Sequence, residues 1–210
     1  MDLILLIAAA CLLSISYIMA LTVAAVDPIC RNIIYVHIPA AVSSLACFCI
    51  LFIASIQFLR KKQMLWDNIS AASAELALMF TAVLNATGMI FAKAEWGLWW
   101  TPSPRLISSV ILLFLCATYL LLRASIIDPR RRGLLCAVFG IIAFVDVPIV
   151  LASARFTRDI HQPGFGFQTS WQYAALVMGI SGAFVLLALL IRFRVSTLEL
   201  GNKCTEITKE

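Results

Sequence analysis

Residues 171–191 read WQYAALVMGISGAFVLLALLI, an unbroken run without a charged side chain, and Arg192-Phe193-Arg194 closes it. A bilayer hydrocarbon core ~30 Å thick takes about 20 apolar helical residues to cross. The run therefore predicts one membrane-spanning helix. Five stretches of the same kind precede it: Leu3–Val26, Pro39–Leu59, Ala71–Ala92, Leu106–Leu122 and Leu134–Ala154. The expected fold is an all-α integral membrane protein, a bundle of six transmembrane helices forming one domain over residues 1–210.

Composition agrees. Of the 210 residues, 62% are hydrophobic and 13% charged, whereas soluble domains run at roughly 45–50% apolar and about 25% charged. A soluble enzyme, a disordered chain and a collagen are excluded. The first run carries only Asp2 as a charge and is longer than the ~7–15 apolar residues of a cleaved signal, so it is expected to be retained.

Charges in the connecting segments set the orientation. Arg60, Lys61, Lys62, Arg123, Arg130, Arg131, Arg132, Arg192, Arg194, Lys203 and Lys209 fall on one side; Arg31, Lys93, Arg105, Arg155 and Arg158 fall on the other. Eleven against five places the first set, and both termini, in the cytoplasm. The net charge of +5 is thus a topology signal, and no nucleic-acid partner is expected. Short loops imply antiparallel neighbours, with Asp128-Pro129 supplying one turn. Seven cysteines are present without a Cys-x-x-Cys pair, which leaves no zinc site, redox pair or covalent haem attachment written in the chain. Those in the apolar runs read as small buried hydrophobes.

The outer loops, Asp27–Ile38, Lys93–Arg105 and Arg155–Ser170, hold both histidines of the chain and three of its five tryptophans, with a fourth, Trp171, directly after the last loop. His37 stands at the mouth of the second span, where Pro39 pre-sets the first helical turn, and His161 precedes the turn Gln162-Pro163-Gly164. Imidazole is a common metal and haem-iron ligand. Two readings are open: a pair of axial ligands, or two unrelated interfacial histidines. Trp96, Trp99 and Trp100 would share a face if that stretch is helical, with Gly97 on another side admitting a close neighbour. They form either an apolar platform for a planar ligand or part of an ordinary aromatic belt. Arg105, after Thr101-Pro102-Ser103-Pro104, either pairs with a carboxylate such as a haem propionate or snorkels at a helix start. Asp146, the one acid deep in an apolar run, reads as too near mid-span to touch an external ligand; a hydrogen bond to a neighbouring helix beside Pro148 is expected, and the same for Glu75. No nucleophile–base pair or phosphate loop suggests catalysis.

The chain resembles the haem exporter protein C (CcmC) family of cytochrome c maturation. The resemblance lies in Tyr35-Val36-His37-Ile38-Pro39-Ala40-Ala41, in Thr87-Gly88 through Trp96-Gly97-Leu98-Trp99-Trp100, in Pro104-Arg105-Leu106 and Val110–Leu115, and in Val147-Pro148-Ile149 and His161-Gln162-Pro163. It implies that haem b is held non-covalently on the outer face of the bacterial inner membrane, with His37 and His161 as axial iron ligands. Trp96, Trp99 and Trp100 would be the platform. The haem would be presented to a membrane-anchored chaperone, CcmE, alongside other maturation components and a separate ATPase complex. Holding and hand-over make this a haem-transfer protein and no enzyme. Two departures stand out: Pro102-Ser103 occupies the place of the family's Trp-Asp, and Arg155-Phe156-Thr157-Arg158 that of a Trp pair. The rival readings are a transporter of haem or a small solute, for which Asp146, Pro148 and Asn85 are the mid-membrane hints, and a b-type cytochrome-like electron-transfer subunit, which commonly needs four histidines within its spans.

Overall fold

A computed structural model describes residues 2–25, 32–156, 167 and 169–207, the side chains of 154–156 and 205–207 excepted. Its helices are α1 (Asp2–Leu21), α2 (Ile34–Lys61), α3 (Met64–Trp96), α4 (Pro104–Ser125), α5 (Pro129–Ala143), α6 (Asp146–Phe156) and α7 (Ser170–Ile207). Among the described residues, 6 helices are long and apolar enough to cross a membrane, α5 and α6 together supplying the fifth.

The helices overrun the apolar stretches. α7 continues sixteen residues past Ile191 to Ile207, and its 38 residues make a rod about 57 Å long at 1.5 Å per residue. Hydropathy marks the part a helix leaves in lipid; the charged residues beyond are good helix formers and simply continue the ladder. α2 begins at Ile34, five positions before the proline expected to start it, so Pro39 lies inside the helix and His37 in its first turn. The fifth span breaks at Phe144–Val145, and α6 restarts at Asp146.

Local chemistry fixes the turns. Ser103 caps α4, its Oγ accepting from Leu106 N (3.4 Å), with Pro104 as first helical residue. Asp128 does the same for α5, Oδ1 accepting from Arg131 N (2.6 Å), followed by Pro129.

Small residues set the packing, as in membrane bundles generally. α1 lies along α7, where Ser16 Oγ donates to Ala175 O (2.7 Å) and a Cβ at Gly182 would stand 3.1 Å from Leu13 N. The main core joins α2, α3, α4 and α5 around Cys47, Phe48, Leu51, Ala77, Cys116, Tyr119 and Cys136. Cys47, Cys116 and Cys136 are buried and unbridged, as expected of small hydrophobes. Large apolar side chains such as Phe114, Leu121 and Val177 face outward, toward lipid.

Carboxylates pair with cations near one end of the bundle, the basic face. Arg123 Nη1 and Nη2 donate to Asp67 Oδ1 and Oδ2, both at 2.8 Å, tying α4 to α3. Arg194 Nε and Nη2 donate to Glu75 Oε2 and Oε1 at 2.5 and 2.8 Å, tying α7 to α3. Arg192 meets Asp2 at 3.2 Å across α7 and α1. Glu75 thus bridges to a neighbouring helix as its sequence position predicts. Asp67 was not legible as a partner, because nothing in a linear pattern couples it to Arg123.

Candidate functional site

The opposite end, the aromatic face, carries His37 and the Trp-rich loop. His37 Nδ1 lies 3.1 Å from Thr87 Oγ1 of α3. Thr87 Oγ1 also sits 2.7 Å from Val83 O and 3.2 Å from Leu84 O, both of which can only accept. A hydroxyl has one proton, and here it is committed to its own helix. The hydroxyl therefore accepts from His37, so Nδ1 carries the imidazole proton and the lone pair stands on Nε2. That is the second-contact arrangement by which a protein fixes the tautomer of a metal-ligating histidine. Gly88 completes it: a Cβ there would come within 3.1 Å of His37 Cε1 and 3.6 Å of Nδ1, so a larger residue would make the ring give by a few tenths of an ångström.

The surroundings hold the first turn of α2 in place. Tyr35 Oη donates to Ala24 O (2.8 Å), beyond the end of α1. Tyr35 also stacks on Phe167 (5.7 Å between centroids), which meets Tyr173 of α7 edge-on at 5.2 Å. Gln172 Nε2 donates to Ala25 O (3.3 Å). These contacts join the ends of α1, α2 and α7 into a small second core with Ala20, Ala175 and Leu176.

The tryptophans are arranged differently from the helical face anticipated. α3 stops at Trp96, and Gly97 takes φ +74°, the left-handed conformation that closes the helix with Gly97 N donating to Lys93 O at 3.1 Å. Gly97 is a helix terminator, with nothing within 4 Å of where its Cβ would be, and no close-packing point. Trp96 is half-buried, meeting Phe91 edge-on at 5.8 Å. Trp99 and Trp100 lie beyond the helix, 56% and 44% exposed. Lys93 Nζ donates to Gly97 O (2.8 Å) and stands 5.9 Å from the Trp99 ring centre, bracing the loop. Trp96 lies eight residues, about 12 Å of helix, beyond Gly88 on α3. Arg105 is the second residue of α4, half-buried. His161 lies outside the described residues.

One layer below, polar side chains link the helices in sequence. Asn85 of α3 donates through Nδ2 to Thr81 O (2.8 Å) and Ser109 O (3.3 Å), and accepts at Oδ1 from Ser109 Oγ of α4 (2.9 Å). Asp146 lies close to Ser108 of α4, and its Oδ2 is buried without a hydrogen-bond partner among the described residues. Ser108 is only the fifth residue of α4. Asp146 therefore sits about one turn below the start of α4 and nearer the aromatic face than mid-span, because the fifth span is broken and its upper piece, α6, is only 11 residues long. Asn85, a hint of a transport site from sequence, is committed to interhelical hydrogen bonds. Thr87, Ser108 and Ser109 carried no sequence signal of their own beyond Thr87-Gly88 lying in the family-like stretch. Among the described residues no group of three or more His, Cys, Asp or Glu gathers.

A family model described as Heme exporter protein C (CcmC) matches residues 1–209. Heme exporter protein C of Escherichia coli (strain K12) is 30% identical over 170 residues, 80% of this chain and 69% of that protein. The protein of the same name from Bradyrhizobium diazoefficiens is 29% identical over 163 residues, 74% of this chain and 61% of its own. A putative cytochrome c biosynthesis ccmC-like mitochondrial protein of Marchantia polymorpha is 32% identical over 132 residues, 63% and 55% of the two chains.

Proposed function

The chain belongs to the haem exporter protein C (CcmC) family, and from that premise we propose that it holds haem b on the aromatic face and hands it on during cytochrome c maturation. One observation carries the reading: His37 Nδ1 lies against the Thr87 hydroxyl, whose proton goes to its own helix, an arrangement that leaves Nε2 as the lone-pair nitrogen of the ring. A histidine that served only packing would have no need of a fixed tautomer or of the glycine that admits its ring.

His161 is the second axial ligand. In support, Phe167, six positions further on in sequence, stacks on Tyr35, two positions before His37. Trp99 and Trp100, exposed beyond the end of α3, offer apolar planes to the porphyrin, with Trp96 and the Gly97 turn as their base. Arg105 takes a propionate. Bound haem supplies the iron that the imidazoles ligate; the chain binds, orients and releases it and makes no covalent bond. Because the platform is exposed, a membrane-anchored chaperone of the CcmE kind can reach the haem edge directly. Any energy for hand-over comes from a separate ATPase complex. The positive-inside distribution puts this face on the periplasmic side of the bacterial inner membrane.

The test is an absorption spectrum of the detergent-purified chain, oxidised and reduced, with hemin added. Wild type is expected to show a low-spin bis-histidine haem, and His37→Ala and His161→Ala each to lose it. Full low-spin haem in both variants would overturn the ligand assignment.

A further inference from the structure

The basic face holds a cavity of about 310 Å³ lined by Phe58 and Lys62 at the end of α2, Met64 at the start of α3, and Arg130 and Leu134 in α5. Its walls are of two kinds. Phe58 is buried and fixed, because α5 crosses it at Gly133, where any Cβ would overlap the ring; Met64 and Leu134 add apolar surface. Lys62 and Arg130 add two positive charges.

Lys62 and Arg130, like Arg60, Lys61 and Arg131, have no carboxylate partner among the described residues, whereas Arg123, Arg192 and Arg194 of the same face do. Two further features mark this corner of the bundle. Arg132, in the same turn of α5 as Arg130, has its Nε buried without a hydrogen-bond partner among the described residues. Lys62 is also the single described non-glycine residue with positive φ, at 55°, closing α2 where glycine would be relaxed. A strained backbone holds its ammonium 6.0 Å from the Phe58 ring centre, at the cavity wall. Strain of this kind persists where the surroundings impose it, and often marks a functional position.

We propose that this cavity binds the phosphate headgroup of an anionic phospholipid, with the upper acyl chain against Phe58, Met64 and Leu134. The size is at the lower end for a ligand site and suits a headgroup. Its position argues for a lipid: Ile127, in the turn that leads into α5, is 94% exposed, as a residue dipping into the headgroup boundary would be. Basic pockets between transmembrane helices on the basic side are where anionic headgroups bind. Asp128, the nearest acid in sequence, is spent on capping, its Oδ1 accepting from Arg131 N at 2.6 Å.

Thermal unfolding of the full chain in mild detergent tests this, with dioleoylphosphatidylglycerol, dioleoylphosphatidylcholine or inorganic phosphate added. Phosphatidylglycerol at ten times its Kd is expected to raise Tm by about 3–6 °C, and the other two to leave it unchanged. Lys62→Gly should remove most of that rise while keeping a lipid-free Tm at or above wild type, since glycine relaxes the position. Arg130→Gln, at an exposed helix position, should reduce the rise with no change in lipid-free Tm. An equal rise with phosphatidylcholine, a full rise with phosphate alone, or an undiminished rise in both variants would each overturn the proposal.

Discussion

Replacing Thr87 with valine keeps the side-chain shape and removes the hydroxyl that His37 Nδ1 meets. Thr87 is 7% exposed and its Oγ is 3.1 Å from His37 Nδ1. A neutral hydrogen bond of this kind contributes about 0.5–1.5 kcal/mol net, which alone would weaken haem binding roughly 2- to 13-fold. An imidazole bound to iron through Nε2 is a stronger donor at Nδ1, and partners in this position typically govern about 10–100-fold of metal affinity. A loss of at least tenfold is therefore expected. Thr87→Ser, which keeps the hydroxyl, should stay within about twofold of wild type. Gly88→Ala approaches the same ring from another side: the added Cβ, 3.1 Å from Cε1, makes the imidazole give by a few tenths of an ångström, and should weaken haem without altering the hydroxyl.

The assay is hemin titration of the detergent-purified chain, followed in the low-spin absorption bands, with the unfolding temperature of the haem-free protein measured alongside. Orientation through Thr87 predicts weaker haem in Thr87→Val at an essentially unchanged haem-free Tm. If Thr87→Val binds haem within about twofold of wild type, the hydroxyl does not position the ligand. The tautomer argument then fails even if His37 proves to be a ligand.

Two further outcomes follow from the other end of the bundle and from its orientation. Asp67 is 2% exposed and bonded to Arg123 through both oxygens, so Asp67→Ala should cost about 3–5 kcal/mol of stability by leaving a buried guanidinium uncompensated; Asp67→Leu with Arg123→Met should recover most of it in detergent unfolding. In a background without native cysteines, Leu98→Cys and Ile127→Cys, both at exposed loop positions, should react with a membrane-impermeant maleimide from opposite sides, Leu98→Cys from outside intact spheroplasts and Ile127→Cys only from the cytoplasmic side. Labelling of both from one side would overturn the charge-based orientation.

The spans were legible because burial in lipid needs only length and apolarity, and both are linear properties of a sequence. Helix ends were less so. Residues 192–207 are polar enough to leave the membrane yet have no reason to leave the helix, so α7 runs on. The break at Phe144–Val145 lies inside an apolar run, four residues past Gly140, and Asp146 and Pro148 are its only polar and proline signals. The sequence groups Trp96, Trp99 and Trp100 around Gly97, but the glycine matters here for its positive φ and not for its missing side chain. That single angle puts Trp99 and Trp100 off the helix and onto the surface.

The polar residues of the aromatic end form one connected device when taken by helix. His37 joins α2 to α3 at Thr87, and Asn85 joins α3 to α4 at Ser109, with Asp146 of α6 close to Ser108 of α4. The two hydrogen-bonded links satisfy groups that would otherwise be costly in an apolar layer, and they pin α2, α3 and α4 together beneath the Trp loop. In lipid, where apolar contact alone does not hold helices together, a site that must keep an imidazole in place while its outer wall stays open to a partner needs such a layer beneath it. The departures at Pro102-Ser103 fit this division. They alter the exposed rim, where Ser103 now caps α4 and sets where the loop ends, and leave the layer that holds His37 untouched. On the proposed function, partner specificity should therefore travel with the exposed 98–103 stretch and haem retention with Thr87, Gly88 and the histidines.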